Sequence, residues 1–231
     1  MAQLHEYKAK QILAENGIEI PRGEVAFDSQ SAKEIAEKLS GEVVVKAQIH
    51  STSRAVAGGI RFAKSPDEAE KIASEMLGKE IANNLCEAVL IDERAEIERE
   101  FYLGFIVDTT LKRPTLLFSD SGGSGIEERA DSMKKLVCSI RKEPDLQELQ
   151  RFTFDSAYSA LYKSKAILGE NDDILASRLS LKLAEILQKL YLVAKKTDAR
   201  TAEINPLEGV VPPSPGLSQS SILLAPAACA I

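Results

Sequence analysis

The chain reads as an α+β protein built from two sub-domains, and three observations carry that reading. Strand-like and helix-like segments mix without the strict βαβ alternation of a doubly wound sheet. The apolar run Val43-Val44-Val45 has the continuous character of a buried strand, whereas its neighbours show helical spacing. Beyond Leu207 the composition changes abruptly: Glu208 is the only charged residue there, and five of the nine prolines lie from Pro206 onward. Residues 1–207 are therefore expected to fold and 208–231 to form a low-charge Pro/Ser/Ala-rich tail that does not pack.

Taken in order, Leu4, Tyr7, Ile12 and Leu13 recur at near-helical spacing before Gly17, which predicts an opening amphipathic helix. Gly23–Phe27 predicts a short strand. Ser31–Leu39 has Ile35, Ala36 and Leu39 on one helical face, and Gly41 separates it from the strand that ends at Lys46. Ser65-Pro66-Asp67-Glu68 offers an N-cap, a proline at the first helical position and a glutamate at the third, with Gly78 closing the helix. Ala88–Ile91, Phe101–Val107 and Thr115–Phe118 read as strands, the last two as a hairpin. From Phe154 the pattern turns helical, with a long helix marked by Ile174 to Val193. A final strand, Thr201–Ile204, leads into Asn205-Pro206.

Composition narrows the function. With 29 Lys and Arg against 35 Asp and Glu, the formal charge of -6 argues against nucleic acid or an anionic membrane as main partner. No apolar run approaches the roughly 20 residues that span a bilayer. Three scattered cysteines exclude a disulfide framework or a CxxC site, and two histidines exclude a multi-histidine metal centre. The opening Met1–Lys8 has neither signal-peptide nor transit-peptide character, which predicts a cytoplasmic protein.

Several residues could carry chemistry. Lys46 ends a strand before the small, polar stretch Gln48–Gly59 with Arg54, a setting that suits phosphate oxygens but equally a lysine snorkelling at a sheet edge. Asp92, Glu93, Glu96, Glu98 and Glu100 form either a solvated acidic face or groups for a ribose or a metal. Ser121–Gly125 reads as a wide turn rather than a phosphate nest, because no Gly-Lys-Ser/Thr ending follows. Glu203 and Asn205 flank Ile204 and so share a strand face, which suits Mg²⁺ or an Asn-Pro turn. Neither His5 nor His50 has a partner in sequence that would make it catalytic.

The islands Leu4-His5-Glu6-Tyr7, Ala9-Lys10, Val44-Val45-Lys46-Ala47-Gln48-Ile49-His50, Ala57-Gly58-Gly59, Glu100-Phe101-Tyr102-Leu103-Gly104 and Glu203-Ile204-Asn205-Pro206-Leu207 occur in this order. In that combination the chain resembles the beta subunit of succinyl-CoA synthetase, the ADP-forming succinate-CoA ligase, over its N-terminal ATP-grasp region. The resemblance implies an ATP-grasp fold whose two sub-domains hold ATP or ADP, with Mg²⁺, and a partner alpha subunit carrying a phosphohistidine. Succinate and CoA would be handled only in the complete complex. By the same resemblance, Lys46 meets the nucleotide phosphates, Ser53, Arg54 and Ala55 lie in the loop over them, and Asp92 and Ala95 meet base and ribose. Glu100 is the acidic nucleotide contact, Asn205 a Mg²⁺ ligand, and Glu203 the catalytic glutamate near the partner's histidine loop.

The departures are specific. Where the family reads Gly-Gly-Arg-Gly-Lys-Ala-Gly-Gly, this chain reads Thr52-Ser53-Arg54-Ala55-Val56-Ala57-Gly58-Gly59. After Asn-Pro-Leu the family continues through a strand with a second Mg²⁺-ligating aspartate and a flavodoxin-like C-terminal domain. Here no aspartate follows Leu207, and a truncated chain without that domain is expected. The resemblance thus admits an active ligase subunit, a non-catalytic remnant with weak nucleotide binding, or a malate-CoA ligase subunit.

Overall fold

The computed structural model describes residues 3–51, 53–94, 99–123, 125–126, 133–163, 172–210, 223–226 and 229–230. The chain divides into two compact units, Met1–Gln11 with Pro21–Ala95, and Ile12–Ile20 with Glu96–Ile231.

The first unit takes the opening turns of α1 (Glu6–Glu15), then β1 (Gly23–Ala26), α2 (Ser29–Leu39), β2 (Val43–Ala47), β3 (Ile60–Ala63), α3 (Pro66–Met76), the short pair β4 (Glu80–Ile81) and β5 (Asn84–Leu85), and β6 (Val89–Glu93). An antiparallel sheet runs in the order β1-β6-β2-β3. Val43, Val45 and Ala47 alternate onto the face covered by α2 and α3, where Ile35, Ile72, Ala73 and Met76 complete the core. Burying each large aliphatic side chain there stabilises the unit by about 1.5–3 kcal/mol. The same alternation sends Val44 and Lys46 to the opposite face. Both helices start as the capping residues dictate: the Asp28 carboxylate accepts the Ser31 N–H at 2.7 Å, and the Ser65 hydroxyl accepts the Glu68 N–H at 3.2 Å. Gly78, at φ 72°, follows α3 as expected.

The second unit contains β7 (Arg99–Asp108), β8 (Arg113–Ser119), β9 (Lys134–Val137), α4 (Leu146–Lys163), α5 (Asp172–Lys196), β10 (Thr201–Val210), β11 (Leu223–Pro226) and β12 (Cys229–Ala230). Its sheet runs β11-β10-β7-β8-β9, with β12 also on β10. The predicted hairpin is β7–β8, closed by Asp108, whose carboxylate accepts the N–H groups of Thr110 at 2.9 Å and Leu111 at 2.8 Å. Phe101, Leu103, Phe105, Leu179, Leu183, Leu187 and Leu190 are buried, and α5 packs on both β7 and β10. Phe105 meets the Tyr191 ring edge-on at 5.8 Å.

Helix α4 begins earlier than the periodicity suggests, and β3 and β9 leave no mark in the sequence pattern. Each of those two strands is four residues long, and only one of the eight, Ala63, is buried, so no alternating apolar signal announces them. Strand pairing also extends beyond Leu207. Strand β10 continues through Pro206 to Val210, accommodating it with a register shift between Ile204 and Leu207, since proline has no N–H to give the ladder. Leu223–Pro226 then pair with Val210–Leu207, and Cys229–Ala230 with Ile204–Glu203. Low charge and prolines count against packing, but strand addition needs only main-chain donors and acceptors. Among the described residues no helix is long and apolar enough to cross a membrane.

Candidate functional site

Two groups of sequence-predicted residues come together, one in each unit. In the first unit, Val44 is the register partner of Asp92, which places Lys46 diagonally across from Asp92 on the face away from the core. The Lys46 ammonium donates to Asp92 Oδ2 at 2.8 Å and to Glu6 Oε1 at 3.4 Å. Lys10, one turn after Glu6 on α1, donates to the same Asp92 oxygen and lies 3.5 Å from Glu6. The Arg54 guanidinium closes the network by donating to Glu6 Oε2. Three cations thus surround two carboxylates, and all but Arg54 are buried.

Burial pushes the Glu6 carboxyl up, but the charges of Lys46, Arg54 and Lys10 overcome it and bring the pKa down to about 2. For Lys46, burial lowers the pKa while Glu6 and Asp92 outweigh it and raise it. Gly23 lies opposite Asp92, where a Cβ would collide with Asp92 Oδ1 and sit 2.6 Å from the Ile91 carbonyl oxygen. That Oδ1 is buried without a hydrogen-bond partner among the described residues.

The loop after β2 satisfies much of its own backbone. Ala57 N–H donates to Ser53 O at 3.0 Å, Gly58 N–H to Ala55 O at 3.1 Å and Gly59 N–H to Arg54 O at 2.7 Å, while Ser53 N–H finds Ser51 Oγ at 3.3 Å. Ser53, Ala55 and Val56 are exposed. Ala95 lies outside the described residues. His5 and His50, given no role by sequence, stack at 4.2 Å with an 11° interplanar angle. Burial and the neighbouring His50 hold His5 below the usual imidazole range.

In the second unit, β7 and β10 pair so that Glu203 faces Gly104 and Glu208 faces Glu100. The Tyr102 hydroxyl donates to Glu203 Oε2 at 3.2 Å. The Asn205 amide oxygen accepts the Gly123 N–H at 2.8 Å, and the Gly122 N–H goes to the Glu100 carbonyl at 2.9 Å. Gly123, at φ 85°, passes so close to Glu100 that a Cβ would lie 2.7 Å from its Oε2. With these N–H groups used internally, Gly122 and Gly123 behave as the wide turn expected. Among the described residues no three His, Cys, Asp or Glu side chains could together hold a metal ion. Asn205 presents one neutral oxygen that already accepts a hydrogen bond, so this donor set does not form a Mg²⁺ cage.

Sequence reasoning missed Glu6, Lys10 and Glu208 as participants. The first two stand in plain view within the Leu4–Lys10 islands at helical i, i+4 spacing, but their partner Asp92 is 82 residues from Lys10, beyond any local pattern.

Two α+β units, each with an antiparallel sheet that carries one group of these residues, are the class that the fold defines. The chain belongs to the ATP-grasp domain family, whose profile matches residues 3–209. It is 36% identical over 212 residues to the ADP-forming succinate–CoA ligase subunit beta of Nitratiruptor sp., covering 88% of this chain and 51% of that one. It is 37% identical over 204 residues to the GDP-forming subunit beta of Thermus thermophilus, covering 88% of this chain and 50% of that one. The chain therefore spans about half the length of these curated relatives. Among solved structures, acetyl-coenzyme A synthetase 1 of Ca. Korarchaeum cryptofilum superposes with a TM-score of 0.67 at 17% identity, covering 99% of this chain and 92% of that one. ATP citrate lyase of Methanothrix soehngenii gives 0.60 at 17% identity, with 99% and 50% covered. At such identities the structures establish the fold alone.

Proposed function

We propose that the chain binds ATP or ADP as the beta-type, nucleotide-handling part of an acyl-CoA ligase, most like the succinate enzyme, and that it exchanges a phosphoryl group with a histidine on an alpha subunit. The observation that carries this is the convergence of Lys46 and Arg54 on Glu6 in the first unit, because two cations fixed at a strand end and its loop are what polyphosphate recognition needs. In this reading Lys46 and Arg54 orient the phosphates and offset the charge that moves with the phosphoryl group. Glu203, held by the Tyr102 hydroxyl, faces the incoming histidine. Glu100, Ser53, Ala55 and Ala95 are the remaining nucleotide contacts by family resemblance, whereas Asp92, which the same resemblance assigns to base or ribose, is buried and taken up by Lys46 and Lys10; residues 1–207 form the ATP-grasp body of a cytoplasmic protein.

Magnesium, where it arrives with the phosphates, would meet at Asn205 a neutral oxygen, which offers no charge to offset the ion's dehydration. The strand that follows β10 here reads Leu-Leu-Ala-Pro, without the aspartate that the family carries after Asn-Pro-Leu. With the altered loop at Ser53, Ala55 and Val56, that favours a second reading, a remnant that keeps the fold and binds nucleotide weakly. Calorimetric titration with ADP and ATP, with and without Mg²⁺, separates the two. Mg²⁺-dependent saturable binding supports the ligase reading, and no heat with either nucleotide removes it. Purified alone, the chain should form no succinyl-CoA in a coupled assay. A malate-CoA ligase subunit would bind nucleotide identically and differ only once its partner and the acid are supplied.

A further inference from the structure

We infer that Glu6 is a positioning residue for phosphate recognition: its single carboxylate fixes the strand cation Lys46 and the loop cation Arg54 at a set spacing, with Lys10 and Asp92 behind it. The inference rests on the nucleotide reading above and adds to it a residue that reading did not use.

Among the described residues, Glu6 is the one carboxylate of the network that touches all three cations. One oxygen faces Lys46 at 3.4 Å and Lys10 at 3.5 Å, and the other accepts from Arg54. Lys46 belongs to a strand and Arg54 to a loop that otherwise bonds mostly to itself, so the carboxylate is what ties the loop cation to the sheet. A carboxylate beside two phosphate-directed cations could instead compete with the phosphate, and the burial gradient decides between these roles. Side-chain exposure is 2% for Glu6 and 3% for both Lys10 and Asp92, but rises to 9% for Lys46 and 15% for Arg54. The carboxylates sit deepest and the two phosphate-directed cations face outward, so an anion arriving from solvent meets cations first. Three cations against two carboxylates also leave an excess positive charge for that anion to offset. Without Glu6, Lys46 and Arg54 lose the charge that holds them together and repel one another before any phosphate arrives.

The test compares wild type with Glu6→Gln, which keeps the shape and removes the charge, and Glu6→Asp, which keeps the charge and withdraws it by one methylene. Dissociation constants for ADP and for adenosine are measured on the full chain, with folding checked by circular dichroism. The inference expects Glu6→Gln to weaken ADP by about tenfold, Glu6→Asp to fall between, and adenosine to be unchanged, because the nucleoside has no group for these cations. Unchanged ADP binding in Glu6→Gln would overturn it, as would tighter binding, which would make Glu6 a competitor. Equal losses for ADP and adenosine would also overturn it, assigning Glu6 to the fold alone. Should Glu6→Gln fail to fold, the ADP-to-adenosine ratio of Glu6→Asp decides in its place: a selective loss for ADP supports the inference, and an unchanged ratio overturns it. A wild-type chain that binds no ADP removes the nucleotide reading and this inference together, whereas wild-type binding with an indifferent Glu6→Gln removes only the inference.

Discussion

The two groups of candidate residues solve opposite electrostatic problems. In the first unit the charges of Lys46, Lys10, Glu6 and Asp92 are buried and held mainly by one another. In the second, Asn205 and Glu100 are half-exposed; the Asn205 amide oxygen accepts the Gly123 N–H, while the Gly122 N–H goes to the main-chain carbonyl of Glu100. Buried charges tolerate the loss of a partner badly, because the remaining charge has no water to turn to. Half-exposed groups can fall back on solvent. Substitutions should therefore cost far more stability in the first group than in the second.

The largest expected effect is from Lys46→Ala. Removing this cation takes the 2.8 Å partner from Asp92 and leaves Lys10 and Arg54 to hold both carboxylates, which should lower unfolding stability by about 3 kcal/mol, the low end for breaking a buried pair, measured by urea denaturation. In the folded fraction ADP affinity should fall by about 1.5–3 kcal/mol. Asn205→Ala should cost only about 1 kcal/mol, the scale of one ordinary hydrogen bond. Comparable losses for the two variants would erase the distinction between the units.

Acid should act through Glu6. Its pKa falls from 4.5 to about 2 on folding, so the stability it brings is fully present above pH 4.5 and disappears as the pH drops toward 2. A shift of that size corresponds to ~3 kcal/mol. Urea midpoints across that range should decline in wild type and decline less in Glu6→Gln, and parallel declines would mean that other carboxylates carry the acid sensitivity.

Gly23→Ala tests the packing behind the network. The added Cβ would collide with Asp92 Oδ1 and crowd the Ile91 carbonyl at 2.6 Å, and a backbone oxygen cannot move aside as a side chain can. A loss of about 1–3 kcal/mol is expected by thermal denaturation. No change would show that β1 and β6 can separate locally without disturbing Lys46.

How much of this is legible in the sequence follows from the range of each interaction. The Ser65 cap and the β7–β8 hairpin are written within a few residues of themselves, and both form where expected. The sequence marks Lys46 as the end of a buried strand but not as buried itself, since Glu6 lies 40 residues away and Asp92 46. A lysine closing an apolar run gives no local sign of whether water or two carboxylates will receive it. The pairing of Leu223–Pro226 with β10 is hidden for a different reason: composition reports on side chains, whereas the edge of β10 offers backbone.

The smallest expected effect concerns the loop that follows β2 and carries Arg54. Val56 is 89% exposed, so Val56→Lys adds a charge without disturbing any packing. Ser53→Gly and Ala55→Gly remove Cβ atoms from a turn whose carbonyls already accept Ala57 and Gly58, and glycine there costs conformational entropy of about 0.5–1 kcal/mol per site. The triple variant should thus be slightly less stable than wild type. A lysine near the phosphates gains about as much as a surface ion pair, on the order of 0.2–1 kcal/mol, and backbone that can approach more closely adds to it. ADP should bind a few-fold more tightly, most visibly at low salt, while adenosine is unaffected. Turnover with an added alpha subunit should not follow, because the loop supplies no carboxylate for the metal. Should the triple variant gain turnover, the altered loop rather than the missing aspartate is what separates this chain from its relatives.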